Sequence, residues 1–291
     1  MNKQQILQLA QRQIDERRFK AEEQRDRLLF KLRQNPRYKE GERQLRIAQI
    51  NGDSTEKIER LQAQLDLVLK DLGIKKSLLR PQYSCKICGD TGRVNNLPCV
   101  CLKNEYNKLL STQSKVPNRS FTFENSSESN KHNVAVYKKA KEAIELGDKN
   151  ILLTGNTGLG KTYLITACAN LAVELNRSAL FYTAYDINSA FLEAHLSDYQ
   201  TRQSILDLLT DVDVLVIDDL GTEINYKNVT AEYLFVIINE RITNKKQTIV
   251  STNLTLPELR ERYDERIFSR LVNQSSTIIA QLEGADKRIK K

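Results

Sequence analysis

No stretch of the 291 residues approaches eighteen consecutive apolar positions, and the first twenty, MNKQQILQLAQRQIDERRFK, are polar from the outset. A membrane-spanning helix and an apolar secretory leader are therefore not expected, which predicts a cytoplasmic chain with no membrane partner. Glycine is missing before Gly41 and strand formers are scarce over 2–72, which excludes a sheet there and leaves helices. No internal repeat or low-complexity tract occurs, and 40% hydrophobic with 28% charged residues excludes a disordered or collagen-like chain. Cysteine is almost confined to 85–101; the fifth, Cys168, lies alone in an apolar helical segment and reads as core. In a reducing compartment four clustered cysteines point to metal and not to disulfides.

What is present divides the chain into three parts: a helical, coiled-coil-like arm over 1–76, a cysteine knuckle over 77–115 and a larger domain over 116–291. In the arm, Asn35-Pro36 and Asn51-Gly52 are breaks, and Asp53-Ser54-Thr55 offers an N-cap to a helix whose Ile58, Leu61, Leu65, Val68 and Leu72 form one apolar seam. The seam fits a hairpin within the chain better than the docking of a partner, and both can hold at once. The stretch ENSSESNKHN, 124–133, is the most linker-like. Beyond it, apolar runs at 151–154, 179–183, 212–217, 248–251 and 277–280 alternate with helical segments, which predicts an α/β domain around a parallel sheet covered on both faces.

Gly155-Asn156-Thr157-Gly158-Leu159-Gly160-Lys161-Thr162 fits G-x-x-x-x-G-K-[ST] in full, between a predicted strand and a predicted helix. Backbone N–H groups freed by the glycines would surround phosphate oxygens, Lys161 would reach the β/γ-phosphates, and the Thr162 hydroxyl would ligate Mg²⁺. In VLVIDD four apolar residues precede Asp218 and Asp219. Buried acids at a strand end are costly unless they face a cation or solvent, so Asp218 is assigned to Mg²⁺ and Asp219 to polarising the attacking water. Capping of the following turn is the alternative for Asp219. In TIVSTN, Asn253 stands where the chain leaves the sheet and could orient the water, or simply form a turn. Arg266 and Arg270 in ERIFSRL share one helical face, which suits a solvated surface, ion pairing, or projection into a neighbouring subunit's nucleotide site.

Cys85-x2-Cys88, ten residues, then Cys99-x-Cys101 can enclose Zn²⁺ in a structural four-thiolate site, giving a segment with almost no core a reason to fold. The second pair is C-x-C where C-x-x-C is commoner.

These motifs together, with VLVIDDLGTE, STN, FSR and DINSAFLEAHLSD, resemble the AAA+ ATPases, and among them the bacterial replicative helicase loaders of the DnaC/DnaI type. Transposition helpers of the IstB type share most of this core. The resemblance covers roughly 116 to the last residue and implies ATP/ADP binding, a five-stranded αβα core and head-to-tail oligomers. It also implies a sensor role for Asn253, a trans-acting finger at Arg270 with Arg266 one turn earlier, nucleotide sensing by Arg288, and an adenine-flanking segment at VPNRSFTFEN, 116–125. Asp219 stands where most AAA+ proteins have Glu, which predicts slow, partner-stimulated hydrolysis. The short run after the last predicted strand implies that the helical lid is absent and that nucleotide leaves readily unless a neighbour closes the site. By the same resemblance the arm and zinc knuckle would grip a replicative DNA helicase.

A net charge of +8 makes an anionic partner such as single-stranded DNA plausible. Basic clusters stand at Lys75-Lys76, Lys138-Lys139, Lys245-Lys246 and Lys287-Arg288-Ile289-Lys290-Lys291, and Tyr185 and Phe191 are candidate stacking platforms, although packing is the commoner fate of such rings. The expected function is ATP-controlled loading of a helicase onto single-stranded DNA. Its rivals are a transposition helper that selects target DNA and a zinc-bearing adaptor that binds ATP with negligible hydrolysis.

Overall fold

The computed structural model describes residues 3–114 and 116–288. By packing, the chain forms two units, Met1–Gln8 with Tyr106–Lys291, and Leu9–Glu105. Most of the expected arm and knuckle, residues 9–105, thus falls in one unit. It holds most of α1 (Lys3–Arg33), then α2 (Pro36–Ile50) and α3 (Thr55–Asp71). The Asn35 side chain caps α2 by accepting from the N–H groups of Arg37 and Tyr38, and Pro36 follows at the first helical position, where its missing N–H costs nothing. Ser54 caps α3. The α3 seam packs on its own chain: Leu65 and Leu69 are buried with Leu32, Tyr38 and Leu45. Leu72, expected on that seam, is 41% exposed because it is the C-cap and Gly73, at φ 70°, turns the chain away. The knuckle is a hairpin of β1 (Arg93–Val94) and β2 (Leu97–Pro98), joined by Asn95 and Asn96 at positive φ, as a tight primed turn requires. It leads into α4 (Val100–Gln113).

The other unit is a three-layer α/β sandwich. Helix α5 (Lys131–Leu146) precedes β3 (Asn150–Thr154) and α6 (Lys161–Glu174); β4 (Ala179–Thr183), α7 (Ala184–Leu196) and α8 (Tyr199–Asp211) follow. Next come β5 (Val214–Asp218), α9 (Thr230–Thr243), β6 (Gln247–Ser251), α10 (Leu256–Arg262), α11 (Glu265–Leu271) and β7 (Thr277–Gln281). The five strands are all parallel in the order β4-β5-β6-β3-β7. Strand periodicity sorts the apolar residues into two cores. Leu152, Leu215, Ile217 and Val250 face one core with residues of α7 to α11, whereas Ile151, Leu153, Val214, Val216 and Ile249 face the other with α5 and α6. This is the fold class expected, with one shift: the run predicted at 212–217 forms its strand from Val214. Val212 caps α8, and the Asp213 carboxylate is taken by Ser178 and Lys246. Residues 282–288 contain no helix, and no helix among the described residues is long and apolar enough to cross a membrane.

Candidate nucleotide site

Strand β3 ends at Thr154, and the next six residues turn into α6 through three glycines at positive φ. Two of those positions are also crowded. A Cβ on Gly155 would stand 2.7 Å from the Leu282 carbonyl oxygen, and one on Gly158 would overlap the Asp286 carboxylate. Lys161, in the first turn of α6, donates to the carbonyls of Gly155 (2.7 Å) and Asn156 (2.9 Å) and to Asn253 Oδ1 (2.6 Å). Burial lowers the pKa of this ammonium, and the charges of Asp219 and Asp218 oppose that shift.

The parallel register brings the end of β5 beside α6 and β6. Thr162 Oγ1 donates to Asp218 Oδ2 at 2.9 Å, and Ser251 Oγ donates to Asp218 Oδ1. Burial raises the Asp218 pKa and the adjacent Asp219 charge adds to it, while the two hydroxyls hold it down. A buried carboxylate beside a threonine hydroxyl is the donor set a hard divalent cation takes. Asp219 adopts the left-handed region, φ 56°, where the strand ends. Its carboxylate accepts from Asn253 Nδ2 at 3.2 Å, and its backbone carbonyl, not its side chain, holds the Thr222 turn. Asn253 therefore bridges Lys161 and Asp219.

Lys161, Thr162, Asp219 and Asn253 border a cavity of about 470 Å³, with Asp218 reached through the Thr162 hydroxyl. Phe121, Tyr137 and Tyr163 form its aromatic side, with the Phe121 and Tyr163 rings 4.5 Å apart. Ser126, Ser127 and Glu128 line it as well, so the stretch expected to be a linker is part of the site. Glu128 explains why: its buried carboxylate accepts from the N–H groups of Ser129 and Asn130, from Asn133 Nδ2 and from Lys287 Nζ. Burial works against that charge, yet these partners, Lys287 foremost, draw its pKa below the usual range. The Lys287 N–H donates to the Gly158 carbonyl at 3.0 Å, and Lys287 and Arg288 line the cavity. The chain's own segment 282–288 thus borders a site that the sequence led one to expect open.

Arg266 and Arg270 do not line the cavity; they lie on α11, their guanidiniums against the Phe235 ring. Phe191, a candidate platform for bases, is 1% exposed inside the core and cannot stack on nucleic acid; Tyr185 is 67% exposed. Lys76, Lys138, Lys246 and Lys287 of the basic clusters are ion-paired with Asp66, Glu142, Asp213 and Glu128. Ile289, Lys290 and Lys291 lie outside the described residues. Sequence reasoning missed Ser251, Glu128 and Glu223; the last accepts from Tyr263 Oη and the Gly221 N–H beneath the Asp219 turn.

In the other unit the sulfurs of Cys85, Cys88, Cys99 and Cys101 all lie within 4.8 Å of one another, with Cys88–Cys101 at 3.4 Å and Cys85–Cys99 at 3.8 Å. A tetrahedron with Zn–S bonds of about 2.3 Å has S–S edges of about 3.8 Å, so the four thiols fit zinc. Asp90, fully buried, orders the first ligand loop by accepting from the N–H groups of Ser84 and Cys85, and Arg17 of α1 lies 3.2 Å from it. Cys168 is buried in the sandwich core.

Residues 117–277 match the family described as the bacterial DnaA ATPase domain. The replicative helicase loader DnaC of Escherichia coli strain K12 is 31% identical over 138 residues, 46% of this chain. The chain spans 55% of that loader's length. The phage-like element PBSX protein XkdC of Bacillus subtilis strain 168 is 28% identical over 233 residues, 70% of this chain and 84% of that protein. A solved structure of the replication initiator DnaA bound to AMPPCP and single-stranded DNA is 27% identical, with a TM-score of 0.51 over 58% of this chain and 51% of that one. With the P-loop and the acids Asp218 and Asp219 set at the carboxyl edge of a five-stranded parallel sheet, this chain belongs to the bacterial DnaA ATPase-domain family of AAA+ proteins and is related to the replicative helicase loaders of the DnaC type.

Proposed function

We propose that this protein is an ATP-driven loader that delivers a replicative DNA helicase to single-stranded DNA. The observation that carries the reading is the convergence on one cavity of the P-loop, of Thr162 with its partner Asp218 behind it, and of the Asn253–Asp219 pair, in a chain related to DnaC. ATP phosphates would lie along Gly155 to Thr162 at the N-terminus of α6, where N–H groups and the helix dipole favour negative charge. Lys161 would exchange its carbonyl partners for β/γ-phosphate oxygens. Thr162 and Asp218 would hold Mg²⁺, which when bound neutralises charge on those oxygens. Asp219, oriented by Asn253, would accept a proton from the attacking water, and its short side chain fits slow turnover. Arg288 would contact the nucleotide from the bordering segment.

In this reading the protein self-associates head to tail, Arg270 serves the neighbour's ATP, and the helices and knuckle of Leu9–Glu105 grip the helicase. Zn²⁺ on the four cysteines would hold the knuckle's shape. The test mixes the full chain with the host's replicative helicase and follows unwinding of forked DNA coated with single-strand-binding protein. Unwinding that requires this protein and ATP, and that fails with Lys161→Ala, is expected. Absence of both complex and stimulation would reject the loader, and co-elution with a transposase instead would install the helper reading.

A further inference from the structure

The two arginines of α11 are held in different ways. Arg266 donates from Nε and Nη2 to Asp264 at 3.1 and 2.8 Å, and its Nη2 is 3.5 Å from Glu232. Its charge is therefore balanced inside its own chain. Arg270 has no carboxylate within ion-pair distance among the described residues. Its Nε donates to Asn239 Oδ1 at 2.9 Å, its Nη1 to the Arg266 carbonyl at 3.0 Å, and its guanidinium carbon stands 4.5 Å from the centre of the Phe235 ring. Phe235 and Asn239 are four residues apart on α9, hence on one face, and α9 packs on α11.

We propose that Phe235 and Asn239 are positioning residues that hold Arg270 as an uncompensated, oriented cation for the γ-phosphate bound by a neighbouring copy of this chain. The inference rests on the trans-acting reading of Arg270 given above. Its physical basis is that both supports are neutral. An amide oxygen fixes Nε and a ring face steadies the cation, yet neither supplies a counter-charge, so the positive potential at Nη2 stays available. A guanidinium restrained before the encounter loses less side-chain entropy when it meets phosphate. The same ring lies 4.9 Å from the Arg266 guanidinium, so Phe235 supports both arginines while Asp264 and Glu232 quench only one.

The experiment measures Mg-ATP turnover of the full chain and of Arg270→Ala, Phe235→Leu, Phe235→Tyr and Asn239→Ala, each alone and mixed with Lys161→Ala. The Lys161→Ala chain has a disabled site of its own and an intact arginine support. Arg270→Ala should lose about a hundredfold or more of kcat. Phe235→Leu and Asn239→Ala should each lose about five- to tenfold of kcat with KM for ATP within about twofold, since each loses one support and not the charge. Phe235→Tyr, which keeps the ring face, should stay near the parent rate. Adding Lys161→Ala should restore turnover to Asn239→Ala, because the mixed interface supplies a well-held arginine to a competent site. Parent-like kcat in Phe235→Leu and Asn239→Ala beside an inactive Arg270→Ala overturns the positioning role, as does a loss that mixing leaves unrestored. Parent-like turnover in Arg270→Ala itself would instead remove the trans-arginine reading, and this inference with it.

Discussion

Ser251 stands between the two acids that end β5: its hydroxyl donates to Asp218 and accepts from the Asp219 N–H at 2.9 Å. Replacing it by alanine leaves a buried carboxylate short of a donor. Asp218, already raised by burial and by the Asp219 charge, would rise further, so fewer chains carry the ionised form at a given pH. Ser251→Ala is expected to lower Mg-dependent turnover about tenfold near neutrality and to move the acid limb of the pH–rate profile to higher pH, with Ser251→Thr restoring both. An unmoved limb would contradict the role. Asp218 was legible because acids after four apolar residues need a reason. Ser251 was not, since a serine closing an apolar strand carries no signal. The register that pairs Ile217 with Val250 puts the next residues, Asp218 and Ser251, within reach of one another.

At the scale of elements, the amino ends of β5 and β6 are tied by two groups that no motif announces, one buried and one half-buried. Arg241 of α9, wholly buried, donates to the carbonyls of Leu209, Thr210, Val212 and Gln247 and to Thr248 Oγ1. Arg241→Met would strand these acceptors, and a loss of about 3–5 kcal/mol in urea unfolding is expected. Asp213 accepts from Ser178 N–H and Oγ–H and from Lys246 Nζ. Burial alone would raise its pKa, but these donors hold it at about 2. Because the folded value lies below the unfolded one of about 3.9, its contribution of roughly 2 kcal/mol is complete above that pH and fades as pH falls towards about 2. Asp213→Asn should therefore destabilise more at pH 7 than at pH 3, and an equal loss at both would refute the assignment. The knuckle offers a third test. A two-residue hairpin with so little core gains its order from the four thiols, so a chelator should release one zinc per chain and lower the melting temperature, and Cys101→Ser should purify without the metal.

At the scale of the whole chain the net charge of +8 is unchanged by internal pairing, but the basic clusters present less positive potential than their residues suggest, because a lysine in each is ion-paired. Binding of single-stranded DNA should still release counterions. Between 50 and 200 mM salt its affinity is expected to fall about twentyfold, the response of roughly three backbone contacts, as read by fluorescence anisotropy. A salt-independent affinity would place the recognition elsewhere. Local information decided much of this molecule. The alternation of apolar runs with amphipathic segments dictated a parallel α/β sandwich, and contiguous residues wrote the P-loop, the Asp218–Asp219 pair and the cysteine spacing. Tertiary structure alone decided that Phe191 is core, that Glu128 anchors a bordering segment to the P-loop, that Ser251 serves Asp218, and that Arg270 and not Arg266 keeps its charge unpaired among the described residues. The physical reason is range. A turn or helix start is set by neighbours along the chain, whereas these partners come from distant segments and meet only once strand order and register have placed them side by side.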